Sequence, residues 1–400
     1  MGQPLEAAST QLLRRINAER VLQYAWDADV FTASDAIAAS GLTRSTVLRV
    51  CDELAEKGWI HELSDARAAG VYSKGRPARR YAFRNQAAHV VAVDAGQHHV
   101  SAWVTDLRGA VLASSPEPIR LRSESAAARR EAVDSAVNLV LDSAGVASSA
   151  VLVAVIGVPA PTDEHGVSPR SENGFWEQMN PGFAELLGQR GWSVVVENDA
   201  NLAAIAEGAI GAGVGVSSFV SLLAGQRFGA GVVAHDTLMR GARGGVGELH
   251  LLDLVEGVGS TDGLARLAVD WAEEAHTEGI IPIGSPLATV QVEAVAVFAA
   301  AQAGDATAIG IVDRLAARLA RVCAVLGGLL DTEKIIIGGG VAPAAGLLIE
   351  RAEPILRAFM HGQAPALVAS PLGAPAVGLG AIHRALDLIR TDPLGFSLPR

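Results

Sequence analysis

The 400-residue sequence predicts a mixed α/β fold preceded by a small helix-turn-helix head. Apolar segments of strand length alternate with helical ones over most of the chain, and 43 glycines punctuate them. The first 85 residues instead hold short helices separated by a glycine and followed by two short strands. Half of all residues are hydrophobic and 19% are charged, which suits two or three packed domains and excludes a disordered chain.

Three helices are predicted in the head. The first covers residues 10–26, where apolar side chains form a stripe. A Thr-Ala-Ser-Asp sequence, a variant of the capping box, opens a short second helix over residues 32–40. A Gly-Leu pair ends that helix, and Thr43 is a natural N-cap for the third helix, residues 44–57. This arrangement is typical of DNA-binding helix-turn-helix units.

The start of the third helix carries the predicted base-reading side chains. Apolar residues at helical spacing face inward there, and short polar or basic side chains face outward. In a helix-turn-helix the first residues of the second motif helix meet base edges in the major groove. The candidate DNA-binding residues in this segment are Thr43, Arg44, Ser45, Thr46 and Arg49.

Two predicted strands, residues 58–63 and 80–84, follow the third helix and flank a predicted wing. Residues 66–84 contain six basic side chains and no acidic one. Such a hairpin can neutralise phosphates and place an arginine in a narrow minor groove. The alternative is an ordinary solvated loop. The candidate DNA-binding residues of the wing are Lys74, Arg76, Arg79 and Arg80.

The charge of the chain is divided unevenly between the head and the remainder. Residues 1–85 hold 12 Lys and Arg against 10 Asp and Glu, whereas the whole chain has a formal net charge of −11. Residues 1–85 thus carry a net charge of +2, and residues 86–400 carry a net charge of −13. A local basic element on an acidic protein indicates one polyanion-binding site and argues against general adhesion to polyanions.

The rest of the chain predicts an α/β domain with acids and glycines at strand ends, where ligands bind in such sheets. Its predicted elements are strands 89–94, 100–105, 110–114 and 151–158, helix 126–143, and strands 191–197, 219–223, 229–234 and 334–337.

Several motifs in this region resemble those of the ROK family, which groups repressors, open reading frames of unassigned function and kinases. They are Asp94–Gly96, Gly157–Pro161, the Glu-Asn-Asp-Ala-Asn block at 197–201, Gly247–Leu249 and Gly338–Val341, and a Gly-Arg-Pro-Ala wing at 75–78. The resemblance covers residues 10–390 and, with the head, is greatest to sugar-responsive regulators such as xylose and N-acetylglucosamine repressors.

The resemblance implies a two-lobed, actin-like fold of the ribonuclease-H type. A winged helix-turn-helix over residues 1–85 would precede a first lobe over 86–197. A helix near 376–390 would complete that lobe, and residues 198–375 would form the second. Together with the head, the resemblance also implies that the protein is a transcriptional regulator.

Two turns that hold phosphates in ROK kinases differ here. The family resemblance implies Asp-x-Gly-Gly-Thr at the first, where this chain has Asp-Ala-Gly-Gln-His at 94–98. It implies Gly-Thr-Gly at the second, where Arg227 stands in Gly-Gln-Arg-Phe-Gly at 225–229. Glycines let backbone amides approach phosphate closely, and side chains obstruct that approach. We therefore expect no kinase activity and no nucleotide cofactor.

The carbohydrate side of the motif set is better preserved. Asp199 matches the family's catalytic base, which in a non-kinase can still accept hydrogen bonds from a sugar. Asn198 matches a sugar-hydroxyl ligand, and Glu248 and His250 match a Gly-Glu-x-Gly-His motif imperfectly, because His250 stands one residue early. The candidate effector-binding residues are thus Asn198, Asp199, Glu248 and His250. The alternatives are a helix N-cap at Asn198 or Asp199 and a plain buried or surface histidine at His250.

No metal site is predicted. The family's zinc loop is cysteine-rich, whereas the corresponding residues 253–262 contain no cysteine. The only two cysteines, Cys51 and Cys323, are too few for a thiolate zinc site or a disulfide framework and suit a reducing cytoplasm. Adjacent histidines at 98 and 99 point to opposite sides of a strand and seldom share one ion.

Three functions are compatible with the sequence. The preferred one is a transcriptional repressor that binds double-stranded operator DNA as a homodimer or tetramer and responds to a sugar effector. The others are a sugar kinase with an appended head and a regulator with a degenerate pocket. A cytoplasmic location without membrane contact is expected, because the start lacks a signal-peptide pattern and long uncharged runs lack leucine density.

Overall fold

The computed structural model describes most of the chain, with the side chains of the first helix given from Gln11 onward. The described ranges are residues 3–63, 78–121, 125–171, 173–288, 292–361 and 363–399. The helices are α1 (Gln3–Asp27), α2 (Ala33–Ser40), α3 (Arg44–Glu56), α4 (Ala126–Ala144), α5 (Phe175–Met179), α6 (Phe183–Gly188), α7 (Asp199–Ile210), α8 (Leu264–Thr277), α9 (Ala294–Gln302), α10 (Ala306–Leu330), α11 (Ala345–Phe359) and α12 (Ala376–Thr391).

The strands form three sheets. They are β1 (Phe31–Thr32), β2 (Ile60–Leu63), β3 (Arg80–Phe83), β4 (His89–Asp94), β5 (His99–Asp106), β6 (Val111–Ser114), β7 (Ile119–Arg120), β8 (Val151–Val158), β9 (Ser193–Asn198), β10 (Phe219–Ala224), β11 (Phe228–Ala234), β12 (Thr237–Met239), β13 (Lys334–Gly338) and β14 (Ala366–Ala369).

The head contains α1–α3 and a sheet in the order β1-β3-β2. The predicted capping box is present, since Thr32 and Asp35 exchange hydrogen bonds at the start of α2. Thr43 caps α3 as predicted. The predicted apolar stripe of α1 is only partly correct. Val21 and Leu22 are buried in the core of the head, whereas Leu12 and Leu13 are more than half exposed, because the buried contacts of α1 begin at Ala18.

The first large sheet has the order β6-β5-β4-β8-β9, with β7 beside β5. Strands β4, β8 and β9 are parallel, so their carboxyl ends lie at one edge. Asp94 pairs with Gly157 across β4 and β8, and Gly157 pairs with Glu197 across β8 and β9. The acids that the sequence places at strand ends therefore meet along one edge.

The second large sheet has the order β12-β11-β10-β13-β14. Strands β10, β13 and β14 are parallel, and β11 returns antiparallel to β10. The apolar faces of α8–α11 form one buried cluster with this sheet. Leu223 pairs with Gly338, so the glycine turn after β10 lies beside the glycine turn after β13.

The head and the first large sheet share one hydrophobic core. A single buried cluster contains Trp26 and Phe83 of the head together with Val90 of β4 and Ile389 of α12. The Trp26 indole nitrogen donates to the Leu107 carbonyl over 3.0 Å. These buried contacts set the orientation of the head relative to the first large sheet. Burial of apolar side chains and the hydrogen bond of the Trp26 indole hold the head and the sheet together.

Helix α12 connects the head to the lobes. Arg390 pairs with Asp27 of α1 over 2.8 Å, and its guanidinium carbon lies 5.2 Å from a ring centroid of Trp26. The other end of α12 packs on α7, where Gly380 lies against the backbone of Leu202. A side chain at 380 would overlap that backbone, so glycine permits the close approach.

No single helix among the described residues has both the length and the apolar content needed to cross a membrane. Helices α9 and α10 meet that criterion only as a pair, and they are bent by 111° at their junction.

Candidate functional site

The predicted effector residues come together where β9 ends and α7 begins. Asn198 is the N-cap of α7, and its side-chain oxygen accepts from the Asn201 amide over 3.1 Å. Its side-chain nitrogen donates to the Ala160 carbonyl over 3.3 Å and lies 3.5 Å from Glu248 Oε1. The capping alternative for Asn198 is therefore realised together with contact to a candidate ligand residue.

Asp199 is the first residue of α7 and lies in an acidic cluster. Its Oδ1 accepts from the Ala200 amide over 2.7 Å. Burial and the neighbouring charges of Asp94 and Glu248 raise its pKa from 3.8 to about 7, while the Ala200 bond and His99 oppose the rise. A carboxyl group with this pKa can accept or donate a hydrogen bond at neutral pH, which suits contact with hydroxyl groups.

Replacement of Asp199 by asparagine is expected to stabilise the fold in a pH-dependent way. An acid whose pKa is higher in the folded chain favours folding below its unfolded pKa, and this contribution is lost as pH rises through the folded pKa. Asp199→Asn should raise the free energy of unfolding by about 2 kcal/mol at pH 8 and by nearly nothing at pH 4. The value at pH 8 is smaller than the full pKa shift would give, because Asp199 is half-buried and water screens part of its charge. Urea unfolding at pH 4, 6 and 8 measures this difference.

Asp142→Asn is the matched control, because Asp142 is exposed on α4. It should change the free energy of unfolding by less than about 0.5 kcal/mol at each pH. An Asp199→Asn effect that is the same at pH 4 and pH 8 would contradict the assigned electrostatics.

Glu248 follows a turn that requires glycine. Gly247 has φ of +87° and lies against the Ala230 carbonyl, so a side chain would be both strained and overlapped there. Burial raises the pKa of Glu248, and the positive charges of His250 and Arg227 partly oppose that rise. His250 is exposed at the start of a 3-10 helix, near enough to act on Glu248 electrostatically.

We call the segments 94–98 and 225–229, which correspond to the turns that hold phosphates in ROK kinases, the first and second phosphate-type turns. A histidine ring occupies the first of them. A Cβ built on Gly96 would lie 2.4 Å from His99 Cε1, so the imidazole fills the space over this glycine. His99 Nε2 is 3.1 Å from Asp94 Oδ2, and this contact raises the pKa of His99. The sequence predicted obstruction by residues 97 and 98, whereas His99 is the residue whose ring covers Gly96.

Arg129 of α4 binds the backbone of the same turn, and this contact was not predicted from the sequence. Its guanidinium is fully buried and donates to the carbonyls of Ala95, Gly96 and Gln97 over 2.8–3.0 Å. A buried arginine that satisfies three carbonyls fixes the turn rigidly. The only sequence signal is a basic residue within an otherwise inward-facing helical pattern.

The second turn presents Arg227 to the cleft. Arg227 is exposed, and its guanidinium carbon lies 5.0 Å from the ring centroid of Phe175 in α5. Arg227 follows β10 of the second sheet, whereas α5 packs with the first sheet. The contact therefore crosses between the lobes at the position where the resemblance implies a phosphate-facing glycine.

Arg318 of α10 organises the loop that corresponds to the family's zinc loop. Its guanidinium is buried and donates to the carbonyls of Val258, Ser260 and Asp262, the last two over 2.6 and 3.1 Å. The loop in turn holds the second phosphate-type turn. The Phe228 amide donates to the Thr261 carbonyl over 2.8 Å, and further amides of the loop donate to carbonyls of the turn.

No group of three or more His, Cys, Asp or Glu side chains in the described part of the chain is placed to hold a metal ion. The loop at 253–262 is bound by the guanidinium of Arg318, which donates to the carbonyls of Val258 and Ser260.

The candidate nucleic-acid interface begins at the N-terminus of α3. The Thr43 hydroxyl lies 3.2 Å from the Ser45 hydroxyl and 2.9 Å from the Thr46 hydroxyl. Arg44 and Arg49 are exposed, and neither has an ion pair within the described residues. This end of α3 therefore offers hydroxyl and guanidinium donors to a groove.

Arg79 has a different environment from the one the sequence predicts. It pairs with Asp52 of α3 over 2.8 Å and with Glu62 of β2 over 2.6 Å. These two ion pairs join helix and sheet and neutralise the charge that phosphate binding requires. Arg80 begins β3 and is half-buried. The predicted wing residues Lys74 and Arg76 lie outside the described residues.

Together, the two lobes, the paired glycine turns and the acid-lined cleft define an actin-like protein of the sugar-kinase type with a helix-turn-helix head. A model of the ROK family matches residues 90–386, and the chain belongs to this family. The fold class and the family resemblance predicted from sequence are both confirmed.

Individual relatives are of both kinds, kinase and regulator. A glucokinase of Halalkalibacterium halodurans is 36% identical over 172 residues, 39% of this chain and 52% of that enzyme, so the match spans about half of the relative. A xylose repressor of Caldicellulosiruptor bescii is 24% identical over 240 residues, 60% of this chain and 58% of the repressor.

One solved structure extends the likeness to the head. It is a ROK family transcriptional regulator described as a homolog of the E. coli MLC protein. The two share a TM-score of 0.68 and 23% identity, with 94% of this chain and 96% of that chain covered. At this identity the likeness shows the fold alone, from the head through both lobes.

Proposed function

We propose that this protein is a DNA-binding transcriptional regulator, acting as a cytoplasmic repressor of carbohydrate-related genes without phosphoryl transfer. The observation that carries the proposal is the helix-turn-helix head, whose α3 exposes Arg44 and Arg49 without ion pairs in the described chain. The head is attached to a kinase-type fold whose two phosphate-type turns hold His99 and Arg227. A regulator of the same fold and a xylose repressor among the relatives support it.

The DNA-contacting roles follow from the geometry of the head. Thr43, Ser45 and Thr46 form a hydroxyl cluster at the helix start, where amide and hydroxyl groups can contact phosphates. Arg44 and Arg49 have the length and the paired donors to reach guanine edges or adjacent phosphates. A homodimer or tetramer would present two such heads to paired half-sites.

The cleft connects to the head through contiguous packing. Asp199 begins α7, and α7 packs on α12 at Gly380. Arg390 in the last turn of α12 pairs with Asp27 of α1. A sugar held by Asn198, Asp199 and Glu248, with His250 at the rim, would alter DNA affinity if it binds the two head arrangements unequally.

In vitro selection from a random duplex library tests the DNA-binding proposal. The full chain should enrich a defined sequence. Arg49→Ala should weaken binding to the selected duplex by about 10-fold or more, with a smaller loss on a scrambled duplex, because base contacts discriminate by 1–3 kcal/mol.

Arg357→Ala is the matched control. Arg357 is an exposed arginine on α11 of the second sheet's lobe, so its loss changes the net charge equally. It should leave both affinities within about twofold. Failure to enrich any sequence, or equal losses for Arg49→Ala on both duplexes, would count against the assigned role.

A sugar kinase with an appended head is the second candidate. It is favoured by the Asp199 pKa of about 7 and by a cavity of about 320 Å³ beside Gly339 and Gly340. ADP release on hexoses and N-acetylhexosamines should be absent in the full chain. Turnover that Asp199→Asn abolishes would replace the regulator proposal with this one.

A further inference from the structure

Residues 392–399 follow α12 and pack beside the head, and we call them the strap. The Asp392 carboxylate accepts from the Gly395 amide over 3.0 Å and closes a short 3-10 turn. Gly395 and Ser397 are exposed. The residues that alternate with these two are half-buried against the core that the head shares with the first large sheet, and they are Leu394, Phe396 and Leu398. One side of the strap is therefore packed, and the other faces solvent.

The strap contacts one end of the predicted recognition helix, α3. A Cβ built on Gly58 would lie 3.7 Å from Leu398 Cδ1, so the leucine packs directly on this glycine. The Gly58 amide donates to the Ala55 carbonyl over 3.1 Å. The Trp59 amide donates to the Leu54 carbonyl over 2.9 Å, so this stretch is bonded to the last turn of α3. The strap thus holds α3 at the end opposite to its candidate DNA-binding residues.

Two ion pairs join the strap and α12 to α1. Asp392 of the strap pairs with Arg15. Arg390, in the last turn of α12, pairs with Asp27. Exposed ion pairs of this kind contribute little to stability. Arg15 and Asp27 nevertheless lie about 18 Å apart along α1, so the two pairs attach this helix at separate points and define its direction.

A turn of the first large sheet holds the head as well. Arg108, which follows β5, donates to the Ala28 carbonyl over 2.5 Å and to Asp29 over 3.2 Å. Its guanidinium carbon lies 5.7 Å from the ring centroid of Phe83. The head is therefore bound by two separate segments, the turn after β5 and the strap, and this restricts how far the head can rotate.

The length of α3 makes its angle decisive for contact with DNA. The helix has 13 residues and is about 20 Å long. A tilt of about 15° at the end held by the strap moves the other end by about 5 Å. This displacement exceeds the rise of about 3.4 Å between successive base pairs. A small change at the strap would therefore shift the candidate reading side chains by more than one base pair.

We propose that the strap determines which spacing between paired half-sites the protein accepts on DNA. In a homodimer or tetramer the heads are related by the symmetry of the assembly. A fixed angle of each α3 then fixes the distance between the two stretches of major groove that a pair of heads can read. The proposal rests on the proposed function as a DNA-binding regulator and assigns the residues that set the geometry of its operator.

Selection from duplexes of variable spacing tests the strap. Two copies of the half-site enriched from the random library are separated by roughly 0 to 12 base pairs, slightly more than one helical turn. The unaltered full chain should prefer one spacing over its neighbours by about 10-fold. The double variant Phe396→Ala, Leu398→Ala should lower that preference to about threefold or less, because the angle of α3 is no longer fixed. Its affinity for a duplex with one half-site should stay within about twofold, since the reading side chains are unchanged.

Hydrogen exchange of the full chain tests the packing of the strap without DNA. In the double variant the amides of Gly58 and Trp59 should exchange about 10-fold faster, because their protection depends on local opening of the head. Amides of β10 in the second large sheet should exchange as in the unaltered chain. Equal exchange of the head amides in the two proteins would overturn the proposal.

The double variant Leu329→Ala, Phe359→Ala is the matched control. It removes the same two types of side chain from α10 and α11, where Leu329 is 78% and Phe359 45% exposed. It should keep the spacing preference and the head exchange of the unaltered chain. A loss of spacing preference as large as that of the strap variant would contradict a specific role of the strap.

Asp392→Asn separates the ion pair from the packing of the strap. Asparagine still caps the 3-10 turn but loses the pairing with Arg15. Both partners of this pair are exposed, so the variant should fold as the unaltered chain does. It should lower the spacing preference by about twofold to threefold, because exposed ion pairs are weak.

The remaining outcomes also decide. An unaltered chain that accepts all spacings equally, or a strap variant that keeps the full preference, overturns the proposal. Equal losses on one half-site and on two also overturn it, because the strap then supports the folding of the head and not its angle. If the strap double variant unfolds, Asp392→Asn decides alone. Failed enrichment of any half-site removes the regulator proposal, whereas successful enrichment without a spacing preference removes only the role of the strap.

Discussion

Gly380→Ala is expected to destabilise the protein by about 3 kcal/mol, because the new Cβ would enter the backbone of α7. A Cβ built at 380 lies 1.8 Å from the Leu202 carbonyl oxygen and 2.5 Å from its carbon. Both groups are backbone atoms of packed helices, so neither can turn aside as a flexible side chain would. Helices α7 and α12 must separate, and the unfolding midpoint in urea should fall accordingly.

Gly310→Ala is the matched control on another helix. Gly310 is exposed within α10, and nothing lies within 4 Å of a Cβ built there. The same substitution should stabilise the protein by about 0.5–1 kcal/mol, because alanine favours helix more than glycine does. Similar effects of the two substitutions would mean that the α7–α12 contact yields easily, and that it is a poor path between cleft and head.

Local signals in the sequence were sufficient for most of the fold. The capping box at Thr32 and the N-cap at Thr43 act within a few residues, so their chemistry is readable without tertiary information. The strand-end acids could be grouped as well, because parallel strands place their carboxyl ends at one edge. Asp94 and Asp199 accordingly lie close enough for the charge of one to shift the pKa of the other.

Long-range partners could not be predicted in the same way. Arg129 and Arg318 each lie in a helix whose periodicity predicts only an inward face, and the carbonyls they bind are more than 30 residues away in sequence. Arg79 reads as a free wing cation, yet its carboxylate partners come from α3 and β2. Such pairings depend on packing that one sequence does not display.

The boundary between head and first lobe shows the same limit. A composition change after residue 85 predicts two separate domains, and that division stays a prediction. The structure places Trp26 and Ile389 in one buried cluster, so the head is not simply tethered. The sequence does not predict this shared core, because the residues on both sides of the contact are ordinary apolar residues. Each of them could equally belong to the separate core of its own domain.

Arg318→Met is expected to destabilise the protein by about 3 kcal/mol and to loosen the turn that carries Arg227. The substitution keeps the helix former and the apolar stem but removes the donors to the carbonyls of Val258, Ser260 and Asp262. Buried carbonyls without partners cost about 1–3 kcal/mol each, lessened here because part of the site is reached by water. Urea unfolding measures the loss, and chelators should have no effect on the wild type.

Arg314→Met, one turn earlier on α10, separates this role from a general loss of charge. Arg314 is exposed and contacts only the ring of Trp271 among the described contacts, at 4.0 Å, so its loss should cost about 1 kcal/mol or less. Arg318→Lys should recover part of the stability, because an ammonium group can reach one or two of the carbonyls. Equal costs for the two methionine variants would show that the Arg318 guanidinium does not organise this loop.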